Sequence, residues 1–418
     1  MSFQNFVELE KKTSSGIYLD NLTGIRALAV LWVLIFHTWE ASGGGSLSFS
    51  IPIVNINIGL TRLVKMGSWG VDIFFVLSGF LLTIPLLRQK DDQNFGNSLL
   101  EFYKRRALRI FPAYYFTLLI LIYLLLFGLG NLPKTGEMLL HTLLINPWFD
   151  VAPLRGAFWS LPVEALFYVF LPFLILFSKK TKAFYKIFIS IVILAILFRY
   201  AIFNISTIED KGKYLFSFFG RMDQFAIGAI CAYLSLQKRT TPRKGMWILI
   251  AGIIGMITFI AIIDRRGSMF EKRDYFYYFY QSIVAFISAL IIFGATTQSK
   301  LARGLFGNRA MIFIGTISYS IYLWHTIFLD IFYTGNVSHG IPLDSRLSAA
   351  ILYTWPPILL ASLGTYLFIE RPFLGIRHHS KEKPNSFLSK NPVAFLILCA
   401  TAIIILTAAS REIFQINH

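Results

Sequence analysis

An arginine and a histidine bracket the apolar segment RALAVLWVLIFH, residues 26 to 37. A charged side chain at membrane depth costs a few kcal/mol on insertion scales and indicates a functional site by default. Histidine serves as a general base near neutral pH, because its ordinary pKa lies close to operating pH. If the segment is helical, Arg26 and His37 lie roughly 16 Å apart along its axis. The spacing therefore predicts a cation at one end of a buried site and a base at the other.

Further polar residues interrupt other apolar runs, and they are Asp72, Glu164, Arg221, Asp223 and His325. A carboxylate such as Glu164 or Asp72 can fix the tautomer of a catalytic histidine, and Arg221 or His325 can stabilise an oxyanion. Structural roles remain open: Asp72 as a helix cap, Arg221 and Asp223 in ion pairs with other helices, and His325 as an interfacial residue. Placed by depth, the group shares roughly one level, which predicts a common interior cavity.

A second, basic cluster lies in YKRRALRIFPAYY, where Arg105, Arg106 and Arg109 precede Pro112. Arg106 and Arg109 share a helix face at i,i+3 spacing, and arginine binds phosphate in bidentate geometry. Ordinary positive-inside charge ahead of a helix-initiating proline is the alternative. Together with Arg26, the cluster predicts a cytoplasmic anion site beneath the outer-half polar site.

The elements that position these residues are membrane-spanning helices. The chain has 418 residues, of which 56% are hydrophobic and only 15% charged. Apolar runs near the length that crosses a bilayer recur throughout. They predict an all-α polytopic membrane helical bundle with ten core spans and one C-terminal span, near residues 22–40, 68–87, 112–130, 161–178, 187–206, 214–236, 246–263, 279–297, 310–334, 347–369 and 392–410.

The orientation follows from the basic residues. The N-terminus and alternate connections carry 24 of the 39 lysines and arginines, and the opposite connections carry 13. The positive-inside rule places the N-terminus and the basic loops in the cytoplasm. We therefore predict a multi-pass protein of a bacterial inner membrane whose four segments are a cytoplasmic N-terminal segment 1–21, a transmembrane domain 22–373, a basic linker 374–391 and a final span with its tail, 392–418.

Seven motifs in order resemble the acyltransferase-3 family of membrane O-acyltransferases, which modify bacterial surface glycans. They cover residues 20 to about 373 and are LTGIRALAVLWVLIFH, GSWGVDIFFVLSGFLLT, FYKRRALRIFPAYY, AFWSLPVEALFYVFLPFL, GRMDQFAIGA, SYSIYLWHTIF and FIERPF. Each motif is weak alone, whereas their order and spacing are specific. The family often carries an outer SGNH domain after an extra span, and this sequence keeps the eleventh span but ends without that domain.

The resemblance implies an acyltransferase that takes an acyl group, expected to be acetyl, from cytoplasmic acyl-CoA to a hydroxyl of an extracytoplasmic glycan or lipid-linked saccharide. By this resemblance Arg26 and His37 form the signature pair, Arg106 and Arg109 contact the CoA phosphates with Arg105 beside them, and Glu164 is a functional acid. His37 acts either as general base or as a transient acyl carrier.

No metal site, tightly bound cofactor or nucleic-acid partner is predicted; acetyl-CoA is the expected donor substrate and membrane lipids surround the chain. The main alternative is a proton-coupled transporter or lipid-linked-sugar flippase that uses the intramembrane polar residues as a relay. The missing inverted repeat and the absence of paired broken spans speak against it. A scaffold protein without activity is the second alternative.

Overall fold

The computed structural model describes residues 19–51, 56–89, 95–129, 131–205, 211–237, 240–265, 278–297, 299–334, 341–375 and 392–415. Its helices of eight or more residues are α1 Leu19–Ala41, α3 Trp69–Arg88, α4 Phe95–Leu124, α5 Thr135–Thr142, α6 Ser160–Thr181, α7 Phe184–Asn204, α9 Phe218–Gln237, α10 Pro242–Arg265, α11 Tyr280–Ala295, α13 Arg309–Thr316, α14 Ser318–Thr334, α15 Leu343–Thr365 and α17 Pro392–Gln415. The short helices are α2 Thr61–Lys65, α8 Lys211–Leu215, α12 Lys300–Leu305 and α16 Arg371–Gly375. The fold is thus the predicted all-α bundle.

Seven of the described helices are long and apolar enough to cross a membrane, and an eighth candidate is the bent pair α13 and α14. Each of the eleven predicted spans overlaps a described helix or the bent pair. The helices α9, α11 and α17 are not among the seven, and α9 carries several of the buried polar residues described below. The chain is therefore a multi-pass membrane protein.

The described residues also form elements other than the regular α-helix, among them 3-10 turns at Met66–Ser68, Asn146–Phe149 and Gly156–Trp159. An antiparallel hairpin, Ser48–Ile51 with Ile56–Gly59, lies between α1 and α2. π-helical turns occupy Leu125–Leu129 and Tyr366–Glu370. π-helical segments are rare and are often found at functional sites.

The chain divides into two compact units, each described here by itself. The first unit comprises Met1–Trp39, Gly44–Asp92 and Phe170–Ser318; the second comprises Glu40–Gly43, Gln93–Val169 and Tyr319–His418. In the first unit α9 packs against α3, α7 and α11, and α10 packs against α11. In the second, α17 packs against α4 and α5, and the π-helical turn Tyr366–Glu370 packs against α4.

Glycines permit the close crossing of α3 and α9. A Cβ added to Gly79 would lie 2.2 Å from the carbonyl oxygen of Phe225, and one added to Gly228 would lie 2.2 Å from that of Val76. Small residues at such crossings let helix backbones approach closely in membranes. The crossing brings Asp72 on α3 into reach of the polar side chains of α9.

Gly79→Ala is expected to lower the free energy of unfolding by about 1–3 kcal/mol, because the backbone of α9 must move to admit the methyl group. The melting temperature of the detergent-purified variant measures this effect. Gly364→Ala is the matched control, since a Cβ there meets no atom within 4 Å. Equal melting temperatures for Gly79→Ala and wild type would show that the crossing has room to spare.

His141 on α5 is buried in the second unit, outside the spans. The Tyr114 hydroxyl donates to its carbonyl oxygen at 2.9 Å, and Asn146 is its side-chain hydrogen-bonding partner. Burial lowers the pKa of its imidazole from the usual 6.5 to about 4. The imidazole is therefore neutral in the folded protein across the physiological pH range.

The free energy of unfolding is expected to fall as the pH is lowered from about 6.5 to about 4. Over this range the unfolded chain binds a proton at His141, whereas His141 stays unprotonated in the folded chain. The contribution of neutral His141 to the free energy of unfolding is fully present above pH 6.5 and lost near pH 4. Melting temperatures of wild type and His141→Gln across this range measure it. We expect a shallower pH dependence in the variant; parallel curves would contradict the assignment.

Candidate functional site

Arg106 and Arg109 lie in the middle of the thirty-residue helix α4. The sequence predicted a basic loop ahead of a helix that begins at Pro112, and this was wrong: the helix begins at Phe95 and Pro112 lies inside it. A proline is tolerated within a membrane helix where neighbouring side chains bind the exposed carbonyl groups. Next to this proline, the Tyr319 hydroxyl donates to the carbonyl oxygen of Ile110 at 3.0 Å.

Arg109 is held by an acid from another part of the chain. Its Nη1 atom lies 3.2 Å from Oε2 of Glu370, whose side chain is buried. The Ser320 hydroxyl donates to the other carboxylate oxygen of Glu370, and the Arg109 guanidinium lies 5.9 Å from the ring centroid of Tyr319. Glu370 ends the π-helical turn Tyr366–Glu370. This turn therefore fixes the direction in which Arg109 points.

Arg106 lies against aromatic rings and beside an acid. Its guanidinium carbon is 6.0 Å from the ring centroid of Phe102 and 5.9 Å from that of Tyr168. Glu164 is among its electrostatic neighbours, and the Tyr168 hydroxyl hydrogen-bonds to the Glu164 carboxylate. The predicted separation of the arginine pair from Glu164 into two levels was therefore wrong. One polar cluster holds both, and its members are Arg106, Arg109, Glu164, Tyr168, Tyr319 and Glu370.

His325 on α14 is fully buried, which rules out the interfacial position left open by the sequence. Its Nδ1 atom lies 2.8 Å from the carbonyl oxygen of Tyr322. A carbonyl oxygen only accepts hydrogen bonds, so Nδ1 carries a proton, and Nε2 is the acceptor nitrogen when the ring is neutral. The Tyr322 hydroxyl donates to Ala157 O at 2.6 Å and contacts the Ser160 hydroxyl at 2.6 Å. The imidazole is thus oriented to present Nε2 as an acceptor.

The structure pairs Asp72 with Arg221 in the first unit. Nη1 of Arg221 donates to Oδ1 of Asp72 at 2.7 Å, and Gln224 Nε2 donates to the same oxygen at 2.5 Å. The Nε atom of Arg221 donates to Leu215 O at 3.0 Å, and its guanidinium lies 5.1 Å from the Phe216 ring centroid. The ion pair joins α3 to α9. This is the alternative in which Arg221 pairs with an acid on another helix.

Asp223 belongs to a different ion pair, with Arg199 of α7, at 2.8 Å. Arg199 also donates to Tyr278 O, Gly220 O and the Ser282 hydroxyl at 2.7–2.8 Å, and both charged side chains are fully buried. The sequence analysis named Asp223 but gave no role to Arg199, so it missed this pair. The signal was present: Arg199 interrupts the apolar run IVILAILFRYAIF, as Arg26 interrupts its own.

His37 and Arg26 lie on α1, and both are half-buried. The ring of His37 contacts Phe36, with a centroid distance of 4.8 Å. Arg105 is half-buried and forms an ion pair with Glu101 at 3.2 Å, one turn earlier on α4. Of the predicted site residues, the structure thus groups Arg106, Arg109 and Glu164 in the second unit and Asp72 with Arg221 in the first.

The polar cluster and His325 supply complementary chemical groups within the second unit. Fixed guanidinium groups bind anions such as phosphate or a developing oxyanion. A carboxylate and a neutral imidazole accept and return protons. The arrangement is suited to a reaction that develops negative charge on oxygen while a proton moves.

The acyltransferase-3 domain profile, described as an acyltransferase domain, matches residues 19–370. The chain therefore belongs to the acyltransferase-3 family. This family was predicted from the order of its motifs, and the match confirms it.

Among curated proteins, the chain is 27% identical over 432 residues to the peptidoglycan O-acetyltransferase OatA of Listeria monocytogenes, covering 96% of this chain and 64% of that protein. It is 27% identical over 399 residues to the O-acetyltransferase OatA of Staphylococcus aureus strain NCTC 8325, covering 89% and 60%. A protein of S. aureus strain COL is 28% identical over 386 residues, covering 85% and 57%. The chain thus spans about three fifths of the length of these relatives. No solved structure matches the chain.

Proposed function

We propose that this protein is an integral membrane O-acetyltransferase that moves an acetyl group from acyl-CoA to a hydroxyl of an extracytoplasmic glycan. The acyltransferase-3 domain and the O-acetyltransferase relatives support the reaction class. The observation that carries the proposal is the polar cluster, in which two oriented arginines and Glu164 lie together on α4 and α6. The peptidoglycan-directed relative supports a glycan acceptor.

In the proposed reaction a base takes the proton of the acceptor hydroxyl while the hydroxyl oxygen attacks the thioester carbonyl. The tetrahedral intermediate carries a negative charge on oxygen, which a guanidinium or imidazolium group stabilises. Collapse of this intermediate breaks the carbon–sulfur bond and releases CoA as thiolate, which then takes up a proton. We assign the base to His37, with transient acylation of its ring as the alternative route.

Roles for the other residues follow from their surroundings. Arg109, held by Glu370 and Ser320, is the proposed contact for a CoA phosphate, with Arg26 and Arg105 contributing positive charge. His325 presents its Nε2 atom as a hydrogen-bond acceptor and is the second candidate base. The mutual ion pair of Asp72 and Arg221 favours a structural role for both.

We further propose an inner-membrane location with a cytoplasmic N-terminus, since the basic loops then face the cytoplasm.

Acetyl-CoA is expected to raise the melting temperature of the purified protein, because a ligand that binds only the folded state stabilises it. Arg109→Ala is expected to abolish most of this protection. Lys104→Ala is the control, since it removes a positive charge from the exposed face of the same helix. Thermal shift against acetyl-CoA concentration gives the affinities. Equal protection of Arg109→Ala and wild type would remove Arg109 from the donor site. Absence of protection in wild type would favour the transporter alternative.

A further inference from the structure

Tyr168 is a buried tyrosine of α6 to which the sequence assigned no role. It follows Glu164 by four residues, so the two side chains share one face of the helix. Its hydroxyl hydrogen-bonds to the Glu164 carboxylate. The hydroxyl of Tyr168 is therefore a hydrogen-bonding partner of Glu164, one of the two acids of the polar cluster.

The ring of Tyr168 contacts Arg106, one of the two arginines of the cluster. The Arg106 guanidinium carbon lies 5.9 Å from the Tyr168 ring centroid and 6.0 Å from that of Phe102. Guanidinium groups bind aromatic faces favourably within about 6 Å, and the contact strengthens when both groups are desolvated. Tyr168 thus contacts Glu164 through its hydroxyl and Arg106 through its ring.

We propose that Tyr168 is a positioning residue of the acyl-transfer site, whose hydroxyl orients Glu164 and whose ring fixes Arg106. The inference rests on the proposed function and adds a residue to it. A group held on two sides needs no reorganisation when charge develops, which is how preorganised sites lower barriers. Tyr168 acts through its two neighbours and does not itself touch the reacting atoms.

The two contacts are separable by substitution. Tyr168→Phe keeps the ring beneath Arg106 and removes the hydroxyl, so we expect unchanged protection by acetyl-CoA and a kcat for CoA release lower by about 10-fold or more. Tyr168→Leu removes both contacts and is expected also to weaken protection by acetyl-CoA. Tyr103→Phe is the control. The Tyr103 hydroxyl of α4 donates to Val169 O of α6, the helix that carries Tyr168, and not to Glu164.

A double-mutant cycle decides whether the hydroxyl acts through Glu164. In a Glu164→Gln background, Tyr168→Phe is expected to change kcat by less than about twofold, since coupled residues are non-additive. A kcat for Tyr168→Phe equal to wild type, or a loss equal in both backgrounds, would overturn the proposal. A loss of melting temperature in Tyr168→Phe that accounts for the lost activity would also overturn it and leave a packing role.

The failure of the proposed function has a different signature. In that case wild type itself releases no CoA from acetyl-CoA and gains no protection from it. If the proposed function holds, wild type and the control Tyr103→Phe release CoA at the same rate. The proposal for Tyr168 then requires Tyr168→Phe to have a lower kcat than both.

Discussion

Arg199→Met is expected to lower the free energy of unfolding by about 3–5 kcal/mol, because it leaves Asp223 charged in a fully buried position. The two side chains are 0% exposed and lie 2.8 Å apart. Arg199 also binds two carbonyl oxygens and the Ser282 hydroxyl, so the substitution leaves several buried acceptors without a donor. The melting temperature in detergent measures the loss.

Two variants serve as controls for this result. The double variant Arg199→Met with Asp223→Leu is expected to recover much of the stability, since replacing both members of a buried pair is often near neutral. Arg105→Ala breaks the more exposed pair with Glu101 and is expected to cost less than about 1 kcal/mol. Wild-type stability of Arg199→Met alone would contradict a stabilising role for this ion pair.

His37→Ala is expected to reduce acetyl transfer by about 10²–10⁴-fold, the usual contribution of a general base. Protection by acetyl-CoA is expected to persist, because the imidazole acts on the acceptor hydroxyl rather than on the donor phosphates. Initial rates of CoA release and thermal shifts on the same preparation measure both quantities.

His141→Gln controls for the loss of a histidine outside the site, and near neutral pH it is expected to keep the wild-type rate. His325→Ala tests the other candidate base, whose Nε2 atom is the acceptor nitrogen of the ring. Full activity of His37→Ala together with a large loss in His325→Ala would transfer the role of base to His325.

The helices could be predicted from the sequence because long apolar runs have few alternatives in a membrane. The polar partners could not, because Arg109 and Glu370 are far apart in the chain and meet only through tertiary packing. The start of α4 was misplaced because residues 95–111 are polar enough to resemble a loop, and Pro112 resembled a helix start.

The sequence identified the buried polar residues of the candidate site more accurately than it predicted which of them lie next to each other. Single polar residues in apolar runs identified Glu164, His325 and Arg221, all of which are wholly or partly buried. Depth along each helix suggested one level for Glu164, His325 and Arg221, and another for Arg106 and Arg109. The structure instead brings Arg106 close to Glu164, because the long helix α4 carries its arginines at mid-length.

Transfer of acetyl across the membrane tests the central claim most directly. Wild type in proteoliposomes receives radiolabelled acetyl-CoA on one side and a glycan oligosaccharide enclosed on the other. We predict base-labile, ester-linked label on the enclosed glycan, matched by release of CoA and lost in His37→Ala. Unlabelled glycan and intact acetyl-CoA in the presence of folded wild-type protein would contradict the account.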